Sequence, residues 1–235
     1  MKIAIFGDSY AAGHLYDRPD GYEPWPVYLQ NMTDHDITNY AISGSSFQYS
    51  AQLFLKDYSQ YDKIIFVITS PGRMYISNPL LHDNRLRHVA GLTHIEWLWN
   101  AYSLNRSEKM AALPYIDAAK SYYTYLYDHE QAKLFHTALY EKLERTTPPG
   151  TVLWLPVIAC SVGKLEGTVT TLNDISMIDG IWETNQMDDR CDHFNDNNNR
   201  LLAEKINRWI ETGDINLNVS EFKQADPSQQ LWRPL

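Results

Sequence analysis

Along the chain, short apolar runs alternate with longer stretches of helical spacing, and the first three runs stop at a cluster of small or turn-forming residues. Ile3-Ala4-Ile5-Phe6 closes on Gly7-Asp8-Ser9-Tyr10, and the run from Ile37 to Ile42 closes on Ser43-Gly44-Ser45-Ser46. Lys63-Ile64-Ile65-Phe66-Val67-Ile68 closes on Thr69-Ser70-Pro71-Gly72-Arg73. A fourth run, Thr151 to Ile158, follows Thr147-Pro148-Pro149-Gly150. Nearly continuous apolar runs of this length read as strands covered on both faces, the form taken by a parallel sheet. Between them, helical spacing is expected over Trp25 to Met32, Phe47 to Tyr58 and Leu113 to Arg145, the last with a break near Asp128-His129. A final amphipathic helix is expected from about Asn197 to Glu211, with Leu201, Leu202, Ile206, Trp209 and Ile210 on one face and Asn195 or Asp196 as its N-cap. Strand and helix in alternation predict βαβ units and an α/β fold.

Two regions depart from this rhythm. Met74 to about Asn105, with His82, His88, His94, Trp97 and Trp99, is too long for a minimal connection and reads as an inserted, lid-like element facing substrate. Cys160 to Gly180 reads as a loop with a short helical stretch at Leu172 to Ile178. The Tyr-rich stretch from Tyr122 to Tyr127 reads as a packing face. A single domain is therefore expected over residues 1–212, the lid-like segment at about 74–105 included, with the polar residues 213–235 as a carboxyl-terminal surface tail.

Composition narrows the chemistry. A net charge of −9 and the absence of a basic patch argue against a nucleic-acid partner, because phosphate binding needs clustered Lys and Arg. No apolar run is long enough to span a membrane and no secretion signal is seen, so no membrane partner is expected and the default location is cytoplasmic. Cys160 and Cys191 are expected to be free thiols. There is no His-Glu-x-x-His, no paired Cys-x-x-Cys and no Gly-x-Gly-x-x-Gly, so neither a metal nor a cofactor is expected.

The strand ends carry the candidate chemistry. In open α/β sheets ligands bind at the carboxyl ends of the strands, and here those ends deliver Ser9, Gly44 and Thr69-Ser70 to one rim. Asp8 and Ser9 also suit the cap of a following helix. A serine hydroxyl is a weak nucleophile until a base takes its proton, and a carboxylate must fix the tautomer of that base. His193, just before the last helix, is the candidate base, with acidic residues at Asp188, Asp189 and Asp192. The backbone N–H groups of Ser9 and Gly44 are candidate oxyanion donors.

These residues resemble a known family. Gly7-Asp8-Ser9-Tyr10 resembles the first block of the SGNH (GDSL-type) hydrolases, and Asn39-Tyr40-Ala41-Ile42-Ser43-Gly44 resembles the second, with its oxyanion glycine. His193-Phe194-Asn195-Asp196, followed by Asn199-Arg200 and an apolar helix, is similar to the last block. The resemblance spans residues 1–211 in order. It implies a three-layer α/β/α sandwich with a flavodoxin-like, mostly parallel sheet, and hydrolysis of an acyl ester by a Ser-His-Asp arrangement without a metal. Two positions differ from the family's pattern. The block after strand three normally supplies an asparagine to the oxyanion hole, and here Ser70 or Thr69, or the cationic Arg73, would stand in; an ion pair is the competing role for Arg73. The family's aspartate lies three residues before the histidine, where this chain has Arg190; Asp189 is preferred and Asp192 is the alternative. The implied substrate is a small-molecule or carbohydrate acyl ester, with O-acetyl sugars suggested by family habit and by the aromatic-rich insert. A non-catalytic binding or structural protein on the same fold is the competing expectation.

Overall fold

The computed structural model describes residues 1–12, 23–75, 88–89, 106–157, 194 and 196–222. Strands β1 (Lys2–Phe6), β2 (Asp36–Asn39) and β3 (Lys63–Ile68) are followed by a short pair, β4 (Met74–Tyr75) and β5 (His88–Val89), and then by β6 (Val152–Pro156). β1, β2, β3 and β6 form an all-parallel sheet in the order β2-β1-β3-β6, the order in which flavodoxin-like sheets are wound. β4 and β5 pair antiparallel, Met74 opposite Val89. In the central pairing Ile3, Ala4, Ile5 and Phe6 stand opposite Lys63, Ile64, Ile65 and Phe66.

Because side chains alternate across a strand, this register sends two apolar sets to opposite faces. Ile3, Ile5, Ile65, Val67, Leu153 and Leu155 face α1 (Trp25–Met32) and α5 (Asp196–Thr212), meeting Trp25, Leu29, Leu202, Ile206 and Ile210. Ala4, Phe6, Ile64, Phe66 and Ile68 face α2 (Phe47–Asp57) and α4 (His129–Thr146), meeting Phe47, Phe54, Tyr140 and Leu143. The result is a three-layer α/β/α sandwich. Phe66 is the hub of the second face, its ring 5.6 Å from that of Phe47, 5.5 Å from Phe54 and 5.3 Å from Trp154.

Local chemistry sets the helix ends. The Ser46 hydroxyl accepts the Tyr49 N–H at 3.3 Å and starts α2. The Asp128 carboxylate accepts the Gln131 N–H at 2.9 Å and starts α4. Between α3 (Arg106–Tyr125) and α4, the N–H groups of Leu126 and Tyr127 both donate to the Tyr122 carbonyl at 2.8 Å, which closes one helix before the next begins. The expected break near Asp128-His129 is this elbow.

Some boundaries differ from the sequence reading. β2 ends at Asn39 instead of Ile42: past it the Tyr40 and Ile42 N–H groups still donate to the Ile5 and Gly7 carbonyls at 2.8 and 3.2 Å, while the Asn39 side chain accepts the Ala41 N–H at 2.9 Å and donates to the Ala11 carbonyl at 2.8 Å. Beyond α5 the chain does not leave the surface at once: Leu217 and Phe222 are buried in the first core cluster, around a turn of 3-10 helix at Val219–Glu221. The Lys205 ammonium pairs with Glu221 at 2.6 Å and lies over the Phe222 ring. Most of the lid-like segment, the stretch around Leu172 to Ile178, both cysteines and residues 223–235 lie outside the described residues. Among the described residues no helix is long and apolar enough to cross a membrane.

Candidate active site

The turn after β1 is built by Gly7 and Asp8. Gly7 has φ +149°, and a Cβ on it would lie 2.6 Å from the Val67 Cβ, so β1 leaves the sheet in close contact with β3. Only glycine accepts both conditions. Asp8 is wholly buried. Its Oδ1 accepts the Tyr10 N–H at 3.1 Å, and its Oδ2 accepts the Thr69 hydroxyl at 2.8 Å. The same Oδ2 pairs with Arg73 Nη1 at 2.8 Å. Residues 9–11 form a turn and not the first turn of a helix, so Asp8 serves as an internal anchor and not as a cap. Ser9 stands on that anchor, 7% exposed, and among the described residues neither its hydroxyl nor its N–H is committed to a hydrogen bond.

The second turn carries Gly44, with φ +80°. Its N–H is likewise uncommitted among the described residues. The two turns are tied through buried serines: Ser45 Oγ lies 3.0 Å from Ser50 Oγ, and the Ser50 hydroxyl donates to the Gly7 carbonyl at 3.4 Å. Arg73 Nη1 also donates to the Ser45 carbonyl at 3.4 Å. One guanidinium nitrogen thus touches the residue before Ser9 and the residue after Gly44. In the third turn Ser70 Oγ accepts the Gly72 N–H at 3.3 Å, and the Tyr123 hydroxyl donates to the Gly72 carbonyl at 2.5 Å.

A fourth segment reaches the same rim. The Phe194 ring packs edge-on against Tyr10, with centroids 5.7 Å apart. Asn199, buried at the start of α5, donates from Nδ2 to the Phe194 carbonyl at 3.1 Å and accepts the Trp25 N–H at 2.9 Å. The Trp25 indole N–H returns to the Tyr10 carbonyl at 2.5 Å. Tyr10, Trp25, Asn199 and Phe194 therefore form a closed ring of contacts beside Ser9. His193, Asp189 and Asp192 lie outside the described residues. Among those that are described, no group of three or more His, Cys, Asp and Glu side chains could hold a metal ion. The bracing roles of Asp8, Thr69, Ser50 and Asn199 were not legible in the sequence; the only signal was the adjacency of Asp8 to Ser9 and of Asn199 to the last block.

No family model and no curated protein matches the sequence. Solved structures are similar at low identity over most of the chain. One, an acetyl xylan esterase, is 13% identical, with a TM-score of 0.41, covering 90% of this chain and 100% of its own. A second, a lipase/acylhydrolase from Enterococcus faecalis, is 15% identical, with a TM-score of 0.34, covering 92% of this chain and 97% of its own. A third, assigned to the lipolytic G-D-S-L family and from Desulfitobacterium hafniense DCB-2, is 13% identical, with a TM-score of 0.32 and coverages of 88% and 98%. Within the α/β/α sandwich the turns after β1, β2 and β3 converge at Arg73, whose charge is balanced by Asp8.

Proposed function

We propose that the protein is a serine acyl hydrolase acting through Ser9, His193 and Asp189, with Asp192 as the alternative carboxylate. One observation carries the reading: Ser9 sits on a buried, ion-paired turn at the carboxyl end of β1, and Phe194, the residue after His193, packs on Tyr10, the residue after Ser9. Since consecutive Cα atoms are only about 3.8 Å apart, a histidine next to Phe194 is within reach of that turn.

In this mechanism Ser9 Oγ attacks the ester carbonyl carbon while its proton passes to His193. The oxyanion accepts hydrogen bonds from the N–H groups of Ser9 and Gly44, which are both uncommitted among the described residues. Collapse breaks the bond to the alcohol, which leaves with the proton from His193. Water then attacks the acyl-serine by the same path and releases the acid. Thr69 has one hydroxyl hydrogen and gives it to Asp8, which favours Ser70 as the third donor. The remaining N–H groups of Arg73 are the cationic candidates. A carbohydrate O-acetyl ester is the proposed substrate, with no metal or cofactor taking part.

Hydrolysis of a chromogenic acetate ester by wild type, Ser9→Ala and His193→Ala tests the proposal; each variant should lose about a thousandfold or more of kcat. Equal rates in all three would leave a non-catalytic protein on the same fold. Asp189→Asn should cost more than Asp192→Asn, and the reverse order would move the carboxylate role to Asp192. As the base must be neutral, kcat/KM should fall below about pH 6.5, near the ordinary pKa of histidine.

A further inference from the structure

We infer that the cleft beside the third turn is a subsite for a neutral polyhydroxylated ring, a sugar residue in the alcohol part of the substrate. The inference rests on the ester-hydrolase reading for its link to Ser9, and on the cleft itself for the ligand. The cleft encloses about 220 Å³ between Gln48 on α2, the Pro71–Arg73 turn and the elbow of α3 and α4. Pockets that take a whole drug-sized ligand hold roughly 300–1,000 Å³, so this one suits a single ring of a longer molecule.

Its lining selects among ligand classes. Tyr122, Tyr123 and Tyr127 form one wall, with ring centroids 5.3 to 6.2 Å apart and planes tilted or edge-on. At those separations the rings touch one another and leave no room for an ion among them, so they form a wall and not a cage for a quaternary ammonium group. Arg73 lines the cleft, but its charge is balanced by Asp8 at 2.8 Å. Asp128 is then the formal charge on the lining without an ion-pair partner among the described residues, and an anionic ligand gains nothing there. A long acyl chain would cover the Gln48 and Gln131 amides and the Asp128 carboxylate without replacing their hydrogen bonds with water, which is costly. A sugar ring suits this mixed lining: its C–H face lies on the tyrosine wall and the apolar side chains of Leu126 and Phe135, and its hydroxyls both donate to and accept from the amides.

The wall is also joined to the candidate active site. The Tyr123 hydroxyl holds the Gly72 carbonyl, and a Cβ at Gly72 would meet the Tyr127 hydroxyl oxygen at 3.4 Å. Gly72 precedes Arg73, Arg73 holds Asp8, and Asp8 precedes Ser9. A ring in the cleft therefore lies against the same turn that braces the nucleophile.

The test uses the full chain carrying Ser9→Ala, titrated calorimetrically with xylotetraose and with cellotetraose. Saturable binding of either is expected, weakened about tenfold by adding Tyr122→Ala or Gln131→Ala, the loss of one stacking or amide contact. Gln131 is exposed and serves α4 only by donating its backbone N–H to the Asp128 cap, so its variant keeps the fold. If neither tetrasaccharide binds, or if binding is undiminished in both variants, the subsite is overturned. Sugar binding that these variants weaken, in a protein whose wild type hydrolyses no acetate ester, supports the cleft and overturns the ester-hydrolase reading alone. Acetate hydrolysis without sugar binding overturns the subsite alone.

Discussion

Asp8 holds a carboxylate where water does not reach, and Arg73 with Thr69 makes that position tolerable. Removing one partner of a buried ion pair typically costs about 3–5 kcal/mol, because the other charge is left without compensation. Arg73→Met should therefore lower the unfolding free energy by about that amount in urea titrations. Adding Asp8→Asn removes the stranded charge and should restore much of the stability. Turnover should stay low in the double variant, since the ionic clamp between the turns of Ser9 and Gly44 is gone and only the Ser45–Ser50–Gly7 hydrogen bonds still join them. Full activity in a stable double variant would show that the clamp is structural only. Sequence reasoning singled out Arg73 and named both roles, donor and ion-pair partner. It had no means of choosing, because the partner lies on another strand end and proximity in space is not written in local spacing.

At the scale of elements, the approach of β1 to β3 at Gly7 is the tightest constraint on the sheet. Gly7→Ala places a methyl against the Val67 side chain and forces an unfavourable φ. A loss of about 2–4 kcal/mol is expected, read as a lower thermal midpoint, since neither strand can retreat from a parallel ladder bonded on both sides. An unchanged midpoint would mean that the turn relaxes freely. The strands and helices themselves were legible: β3 is the uninterrupted run from Lys63 to Ile68, and α1 occupies the stretch from Trp25 to Met32 that the aromatic spacing predicts. What escaped was decided by side chains acting at a distance. The Asn39 side chain fastens the end of β2 to the Ala11 carbonyl, and Leu217 and Phe222, two apolar residues in a polar stretch, find the core cluster under α5. The Tyr122–Tyr127 stretch reads as a packing face in one dimension, and only the fold shows that the same rings line a cleft.

For the molecule as a whole, alkaline pH is the condition that loosens the second core face. Tyr40 stacks on Phe6 and its hydroxyl lies 2.7 Å from that of Tyr61. This hydrogen bond, and secondarily burial, push the Tyr40 pKa from 10.0 up to about 12. The folded value lies above the unfolded one, so the contribution is complete below pH 10 and is lost as pH rises toward about 12. Urea midpoints measured from pH 9 to 12 should fall through that window, and Tyr40→Phe should flatten the decline. An equally steep fall in the variant would assign the loss to another group. The link between Trp25 and Asn199 spans 174 positions of sequence, and α1 packs on α5 across the same gap. Contacts so remote in the chain form late, because a long loop must close before they contribute. During synthesis, β1 and its serine turn leave the ribosome long before α5 does. A nascent chain therefore displays Ser9 before Phe194 and Asn199 exist to complete the ring of contacts beside it.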